Sequence, residues 1–359
     1  MKFQNLLSSV AILALSTGCT MLGPDFKLLK ADVPENWTAE NYKEINSKDD
    51  RHESWWKNFN DPVLEKLITE GYENNLGLQI TALRIYEARA LLGKAKGLQY
   101  PQSQALRANA THVEMSRNAD PISNLPNSVA NDVDDSFQNI GFGVDAFWEM
   151  DFWGKYRRGI EAGGANLAAT MAGYDDVLVT LTGDIASAYL MLRTFEERKK
   201  VVNANISLQE RSLKIAQTKF DAGISSELDV QQAKTILFNS KSILPSLDKA
   251  IILTRNSLSV LLGRAPGDLA DIMGQEGSFP EIPENISVGI PGELLRRRPD
   301  VRIAELQAAV QCAKIGVTKA DLYPSFRLLG SVGYVADSTD NLVGSNSVTG
   351  VGGFGIMWN

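Results

Sequence analysis

The chain has 359 residues, with 36 Lys and Arg against 43 Asp and Glu, a formal charge of -7, and two cysteines. That balance excludes a basic nucleic-acid footprint, and so few cysteines exclude a disulfide scaffold. The two histidines, His52 and His112, stand far apart with no Cys or carboxylate at metal-site spacing, so composition offers no metal centre.

The N-terminus opens with Met1-Lys2, an apolar run from Leu6 to Leu15 and then Ser16-Thr17-Gly18-Cys19. A run of about 10 residues is too short to span a bilayer as a helix and fits the core of a secretory signal over residues 1–18. Small residues directly before a cysteine resemble a bacterial lipoprotein processing site, which makes Cys19 the lipidated first residue of the mature chain. Such sites usually carry Leu three positions before the cysteine, where this chain has Ser16. An ordinary cleaved signal with an incidental cysteine fits the same run. Thr20, in place of Asp, resembles lipoproteins sent to the outer membrane. The other cysteine, Cys312, reads as a small packing residue.

Residues 88–109, ARALLGKAKGLQYPQSQALRAN, form a helix-like run rich in small residues, then a Tyr-Pro stop, then alternating polarity. Proline fixes its own φ and restricts the preceding residue, so helix gives way to extended chain at Tyr100-Pro101. Leu106, Ala108 and Ala110 then alternate with Arg107, Asn109 and Thr111. Ile140, Phe142, Val144, Ala146 and Trp148 alternate on the way back with Asn139, Gly141, Gly143, Asp145 and Glu149. This predicts a hairpin with its loop near residues 116–136.

From about 155 to 222 there is no proline, and Val177, Leu181, Ile185, Ala188, Tyr189, Leu192 and Phe195 recur at steps of three or four. That predicts one amphipathic helix of about 65 residues, on the order of 100 Å long. The turn FDAGISSELDVQQA over 220–233 offers Gly223 for a left-handed C-terminal position and Ser225 or Ser226 as the next cap. A second helical run over 227–262 returns antiparallel, and Pro245 inside it predicts a kink or a junction of two helices. Periodicity by itself also fits a soluble coiled coil.

Residues 311–332, QCAKIGVTKADLYPSFRLLGSV, repeat the earlier pattern of helix, Tyr-Pro stop (Tyr323-Pro324) and alternation, which predicts an internal duplication. Phe326, Leu328, Val332 and Tyr334 alternate with Ser325, Arg327, Ser331 and Gly333. After a loop near 337–346, Val348, Phe354, Ile356 and Trp358 alternate with Thr349, Gly353 and Gly355. Strands of roughly 10 to 12 residues with this period are the signature of transmembrane β-barrel strands, although alternation alone equally fits a soluble sandwich. Four strands cannot close a barrel that needs about 8, so several copies of the chain would pool their strands.

Against an enzyme, neither GxSxG nor GxxxxGK[ST] occurs, and the acidic pairs Asp134-Asp135 and Asp175-Asp176 read as solvated loop and helix faces. The reading is no enzyme, with a secreted lipoprotein hydrolase as the rival.

Three stretches then carry a specific resemblance: WWKNFNDPVLEKLITEGYENN over 55–75, GPDF over 23–26 and LLRRRPDVRIAELQAA over 294–309. They resemble the outer membrane factor family, the TolC-like exit ducts of Gram-negative efflux and secretion systems, and in particular its lipoprotein branch serving resistance-nodulation-division drug pumps. Pro299 suits a first helical turn and Asp300 a positive helix N-terminus, so the role of that last motif is structural. Gly71 stands where the family usually has Ala and Leu76 where Asn-Pro is common, and both bear on the local helix break.

The resemblance implies a mixed α and β membrane protein: long antiparallel α-helical hairpins forming an α-barrel, plus four transmembrane β-strands contributed to a trimeric β-barrel. The implied divisions are a signal peptide (1–18), a lipidated segment and equatorial belt (19–62), periplasmic helices (63–99), a first β-hairpin (100–150), a long helical hairpin (151–262), a second equatorial segment (263–292), a periplasmic helix (293–322) and a second hairpin (323–359). It implies an outer-membrane channel component of a tripartite system, giving passive exit to small molecules or drugs. The alternatives are a duct for type I protein secretion and a non-transport structural envelope lipoprotein.

Its implied partners are two further copies in a homotrimer, a periplasmic adaptor protein, an inner-membrane pump and outer-membrane lipid, with no nucleic acid. The implied location is the outer membrane of a Gram-negative bacterium, lipid-anchored, barrel-inserted and extending into the periplasm, with no cofactor beyond the covalent lipid (palmitate) on Cys19. Gly223, Asp229 and Val230 match the family's adaptor-contacting tip, and plain helix-turn capping fits them equally. Arg107, Asn109, Asp145, Glu149 and Arg327 would line the pore. A second long hairpin is expected after Trp358, so the chain reads as shortened by roughly 100 residues, with the gate in the missing part.

Overall fold

The computed structural model describes residues 20–28, 45–46, 54–116, 124, 126, 134, 136–267, 269–274, 279–281, 286–287, 295 and 297–358. Cys19 and the signal segment lie outside the described residues, as do most of the first hairpin loop and much of both equatorial segments. The elements fall into two compact units, one built from residues 1–29, 87–168 and 305–359 and the other from 30–86 and 169–304.

The first unit is organised on one antiparallel sheet. Strands β2 (Ser103–Glu114), β3 (Ser136–Met150), β5 (Ser325–Ala336) and β6 (Val348–Met357) lie in that order, so β3 and β5 join the two predicted hairpins into one sheet. The outer edges of β2 and β6 have no partner strand among the described residues. Both hairpins start where the Tyr-Pro stops place them. Helix α2 (Leu76–Gly97) ends before Tyr100-Pro101, and α6 (Pro299–Ala320) ends before Tyr323-Pro324.

The duplication extends to side chains. Trp148 Nε1 donates to the carbonyl of Gln99 at 3.2 Å, and Trp358 Nε1 donates to that of Leu322 at 3.1 Å. Each tryptophan thus ties the end of a returning strand to the residue preceding its Tyr-Pro step. Within this unit α6 meets the start of α3 (Lys155–Asp221) through small side chains, with Ala162, Ala313 and Val310 buried together.

The second unit is helical. Helix α1 (Pro62–Asn74) begins at Asp61, whose side chain accepts from the backbone of Val63 and Leu64. The chain breaks at Asn75 before α2, so the helix break survives both Gly71 and Leu76. Asn75 holds it by accepting from Leu78 N at 2.9 Å and donating to the Leu261 carbonyl at 2.8 Å. Helix α3 is continuous over 67 residues, as its proline-free periodicity predicts, and α4 (Glu227–Leu261) returns from it. Of the two expectations at Pro245, a kink or a junction of two helices, the junction does not occur: α4 runs through it. Proline removes one backbone donor, and the remaining ladder carries the helix across the gap.

The core of this unit joins α1, α3 and α4. Leu64, Leu67, Ile68, Leu181, Ile185, Leu192, Leu258 and Leu262 are buried in one cluster, so the periodic positions 181, 185, 189 and 192 do face the core. A polar chain runs beside it. Tyr189 Oη donates to Asp61 Oδ2 at 2.5 Å, Arg193 Nε donates to Tyr189 Oη at 3.2 Å, and Arg193 reaches Glu196 at 2.8 Å. Glu196 in turn accepts from Arg255 of α4 at 2.7 Å. Elsewhere in this unit β1 (Ile45–Asn46) pairs in parallel with β4 (Ile286–Ser287). Helix α5 (Ala270–Met273) follows α4, and Arg264 between them bridges Glu70 and Asp271.

Candidate functional site

The register of the sheet decides which residues share a face. Arg107 lies opposite Gly143, Asn109 opposite Gly141, Asp145 opposite Ala105 and Ser331, and Glu149 opposite Arg327. Strand side chains alternate with period two, so Arg107, Asn109, Asp145, Glu149 and Arg327 all stand on one face. The other face carries Leu106, Ile140, Phe142, Val144, Trp148, Leu328, Val332, Phe354 and Ile356. Most of these are exposed in the isolated chain, and Phe142 stacks on Tyr334 at 5.2 Å. An exposed apolar face of this extent is unstable in water and suits hydrocarbon.

The polar face is less uniform than its alternation suggests. Phe147, Leu329, Val335 and Val351 share it with the charged residues, so both hairpins place some apolar side chains there. Its charges occur in pairs. Arg107 Nε lies 2.5 Å from Asp145 Oδ2, an ion pair without aligned hydrogen-bond geometry, and Arg327 Nη2 lies 3.6 Å from Glu149 Oε2. The paired charges cancel, so the face is wet and close to neutral.

At the end of the sheet nearest α3 these residues border a cleft of about 140 Å³ lined by Glu149, Lys155, Tyr156, Asp321, Tyr323 and Arg327 among others. Lys155 reaches Asp321 at 2.8 Å and Glu149 at 3.4 Å. Burial pulls the Lys155 ammonium down, but the hydrogen bond to Asp321 and the charges of Glu149 and Asp321 carry it above its ordinary range. Asp151 fixes the exit into α3 by accepting from the backbone of Tyr156 at 3.1 Å and Arg157 at 2.9 Å. The sequence reading missed Lys155, Asp321 and Asp151. The only signal was their position immediately after or before a strand, where charged residues are common.

The predicted tip is a turn between α3 and α4. Gly223 has φ +70, its N–H bonds to the Phe220 carbonyl at 2.8 Å, and Ile224 N bonds to that of Lys219 at 2.8 Å. These two bonds are the Schellman pattern that ends a helix on a left-handed glycine. Ser226 then caps α4, and Asp229 reciprocates by accepting from Ser226 N at 3.0 Å. Asp229 is thus engaged in a capping box, with its outer surface still exposed.

Val230 is 3% exposed, so its side chain packs inward at this end of α4. The apolar side chains that do face outward at the turn are Ile224, 76% exposed, and Leu228, 64% exposed. Sequence reading passed over them because turn chemistry drew attention to Gly223 and Asp229.

Residues 67–264 match the model of the family described as outer membrane efflux protein. Nodulation protein T of Rhizobium leguminosarum bv. trifolii is 28% identical over 332 residues, which cover 92% of this chain and 68% of that protein. Its counterpart from bv. viciae is 27% identical, and the chain spans 64% of its length. A solvent efflux pump outer membrane protein, SrpC of Pseudomonas putida, is 28% identical, covering 97% of this chain and 72% of that one.

Among solved structures, the outer-membrane channel OprN superposes with a TM-score of 0.83 at 30% identity, covering 94% of this chain and 73% of that chain. The Campylobacter jejuni CmeC channel shares the fold with a TM-score of 0.81 at 22% identity, covering 95% and 71%. A sheet with one apolar face, a duplicated helix-to-strand step, a long helical hairpin and these matches agree: the chain belongs to the outer membrane efflux protein family.

Proposed function

We propose that this chain is the outer-membrane channel subunit of a tripartite efflux system, assembling as a homotrimer and giving small molecules passive exit. The observation that carries this reading is the sheet: one apolar face, one wet face of paired charges, and two outer strands whose far edges have no partner among the described residues. A sheet in hydrocarbon tolerates no open edge, so four strands per copy need other copies to close, and three copies give twelve strands. No helix among the described residues is long and apolar enough to cross a membrane, so the reading places the crossing on the strands.

The turn at Gly223 and Asp229, with Ile224 and Leu228 outward, serves in this reading as the end that meets a periplasmic adaptor, behind which an inner-membrane pump supplies energy. Arg107, Asn109, Asp145, Glu149 and Arg327 line the exit. Lipid on Cys19 adds a second attachment to the outer membrane. The reading is tested on outer-membrane preparations by native mass spectrometry in detergent and conductance in planar bilayers. A trimer with stepwise conductance is expected, and a monomer without conductance overturns it. In the same preparations, Gly223→Trp is expected to abolish copurification with the adaptor while the trimer persists. Undiminished copurification removes the tip from the adaptor interface.

A further inference from the structure

The GPDF stretch lies next to a fully buried arginine that the channel reading leaves unexplained. Arg158, near the start of α3, is 1% exposed. Its Nε donates to the Leu22 carbonyl at 3.0 Å, and its Nη2 donates to the Gly23 carbonyl at 3.1 Å and to Asp25 Oδ1 at 2.8 Å. Only Nη1, donating to Glu161 Oε2 at 2.6 Å, turns to its own helix. A buried guanidinium must keep its donors satisfied, so three of these four bonds depend on a segment more than a hundred residues away in sequence.

The backbone contacts around it are as close. Leu22 N donates to the Trp153 carbonyl at 3.0 Å. A Cβ added at Gly316 of α6 would stand 2.6 Å from the Leu22 carbonyl oxygen and 2.7 Å from Arg158 Cγ. Gly23 has φ +93, and a Cβ there would stand 2.5 Å from Gly316 Cα. The strap therefore lies directly on the α6 backbone, at a place where both chains lack side chains.

We propose that Arg158, with the Gly316 surface of α6, is an internal docking site for residues 20–25, which fixes the peptide following Cys19 to the foot of the sheet. The proposal deepens the channel reading by assigning its GPDF stretch a receptor. Leu22 is pinned beside Trp153, where β3 gives way to α3, and three peptide units separate it from Cys19. Their full reach is about 10 Å, so a lipid on Cys19 is held close to that rim instead of trailing on a free tether. The charge on Asp25 and the carbonyls of residues 22 and 23 are what the site recognises. Their fit to one fork of donors is the geometry at which arginine excels and lysine does not.

The thiol of Cys312 reports on the site, because its Sγ lies 3.5 Å from the Pro24 carbonyl at the docked strap. The test measures the maleimide alkylation rate of Cys312, by mass spectrometry of its peptide, in the full chain purified from outer membranes. Arg158→Met is expected to raise that rate about tenfold or more, the kinetic trace of a strap opened by local unfolding. Arg158→Lys should lie between it and wild type.

Gly23→Val drives the strap off Gly316 without changing any residue of α3 or α6, so it serves where Arg158→Met fails to fold, and the same increase is expected. An unchanged alkylation rate in either folded variant overturns the proposal. Palmitate labelling run in parallel separates the two readings: absence of label removes the lipid on Cys19, while strap docking is still decided by Cys312.

Discussion

Tyr189→Phe isolates one hydroxyl in the polar chain of the helical unit. The ring keeps its packing, and the Arg193 guanidinium keeps its place 5.1 Å from the ring centroid. What disappears is the bond donated to Asp61 and the acceptor for Arg193 Nε. Asp61 retains its two capping bonds, so its loss is limited to one hydrogen bond to a charged group, about 1.5–3 kcal/mol. Arg193, almost fully buried, is left with one donor unmet, which adds about 1 kcal/mol.

The expected loss is therefore about 3 kcal/mol, read as a lower urea midpoint of far-UV ellipticity in detergent at unchanged slope. The same residue sets a pH dependence. Burial, then the bond to Asp61, push the Tyr189 phenol up to about 12 from 10.0. The folded state thus prefers the protonated phenol. Its contribution is fully present below pH 10 and is lost as pH rises from about 10 to about 12. That part of the alkaline slope should be missing in the variant. A midpoint within about 0.5 kcal/mol of wild type, with the alkaline slope intact, would refute the reasoning.

Arg107→Gln uncovers the carboxylate of Asp145 on the polar face, and reversal potentials in bilayers should show cation preference rising about twofold with export selectivity unchanged. At the turn, Gly223→Val forces a β-branched residue to positive φ and should cost about 1–3 kcal/mol in thermal melts, whereas Gly223→Asn should cost far less. Gly71→Ala sets a new Cβ 2.4 Å from Ile185 Cδ1, so overpacking of about 1–3 kcal/mol outweighs the helix gain of about 1 kcal/mol. Adding Ile185→Val removes that methyl, and the double variant should melt above the single one; equal melting would show that the contact relaxes freely.

Local patterns made much of this fold legible. Tyr-Pro steps marked both changes from helix to strand, alternation placed the five polar residues on one face, and period-3.6 spacing picked Leu181, Ile185, Tyr189 and Leu192 for the core. The same patterns failed where burial depends on distant chain. Val230 lies in the first turns of α4, a stretch that reads as surface, yet it is buried. Pro245 left a kink and a junction both open because propensity is local, and the continuous helix on either side of it decides against the junction. The partners of Arg158 and Tyr189 lie 136 and 128 residues away, and no local spacing encodes such pairs. The sheet register had to be seen before the charges on its polar face could be recognised as mutually cancelling.

In the proposed homotrimer, the outer edges of β2 and β6, which have no partner strand among the described residues, would make every copy the guarantor of its neighbours. A ring closes only when each member presents both edges intact, so one faulty subunit disables sound ones beside it. If half of the copies in a cell carry a damaged β6, a ring of three drawn at random is wholly intact about one time in eight. Mutations in those strands should therefore be dominant, and the edges invite inhibition by a short strand-like peptide that caps one of them before the ring is complete.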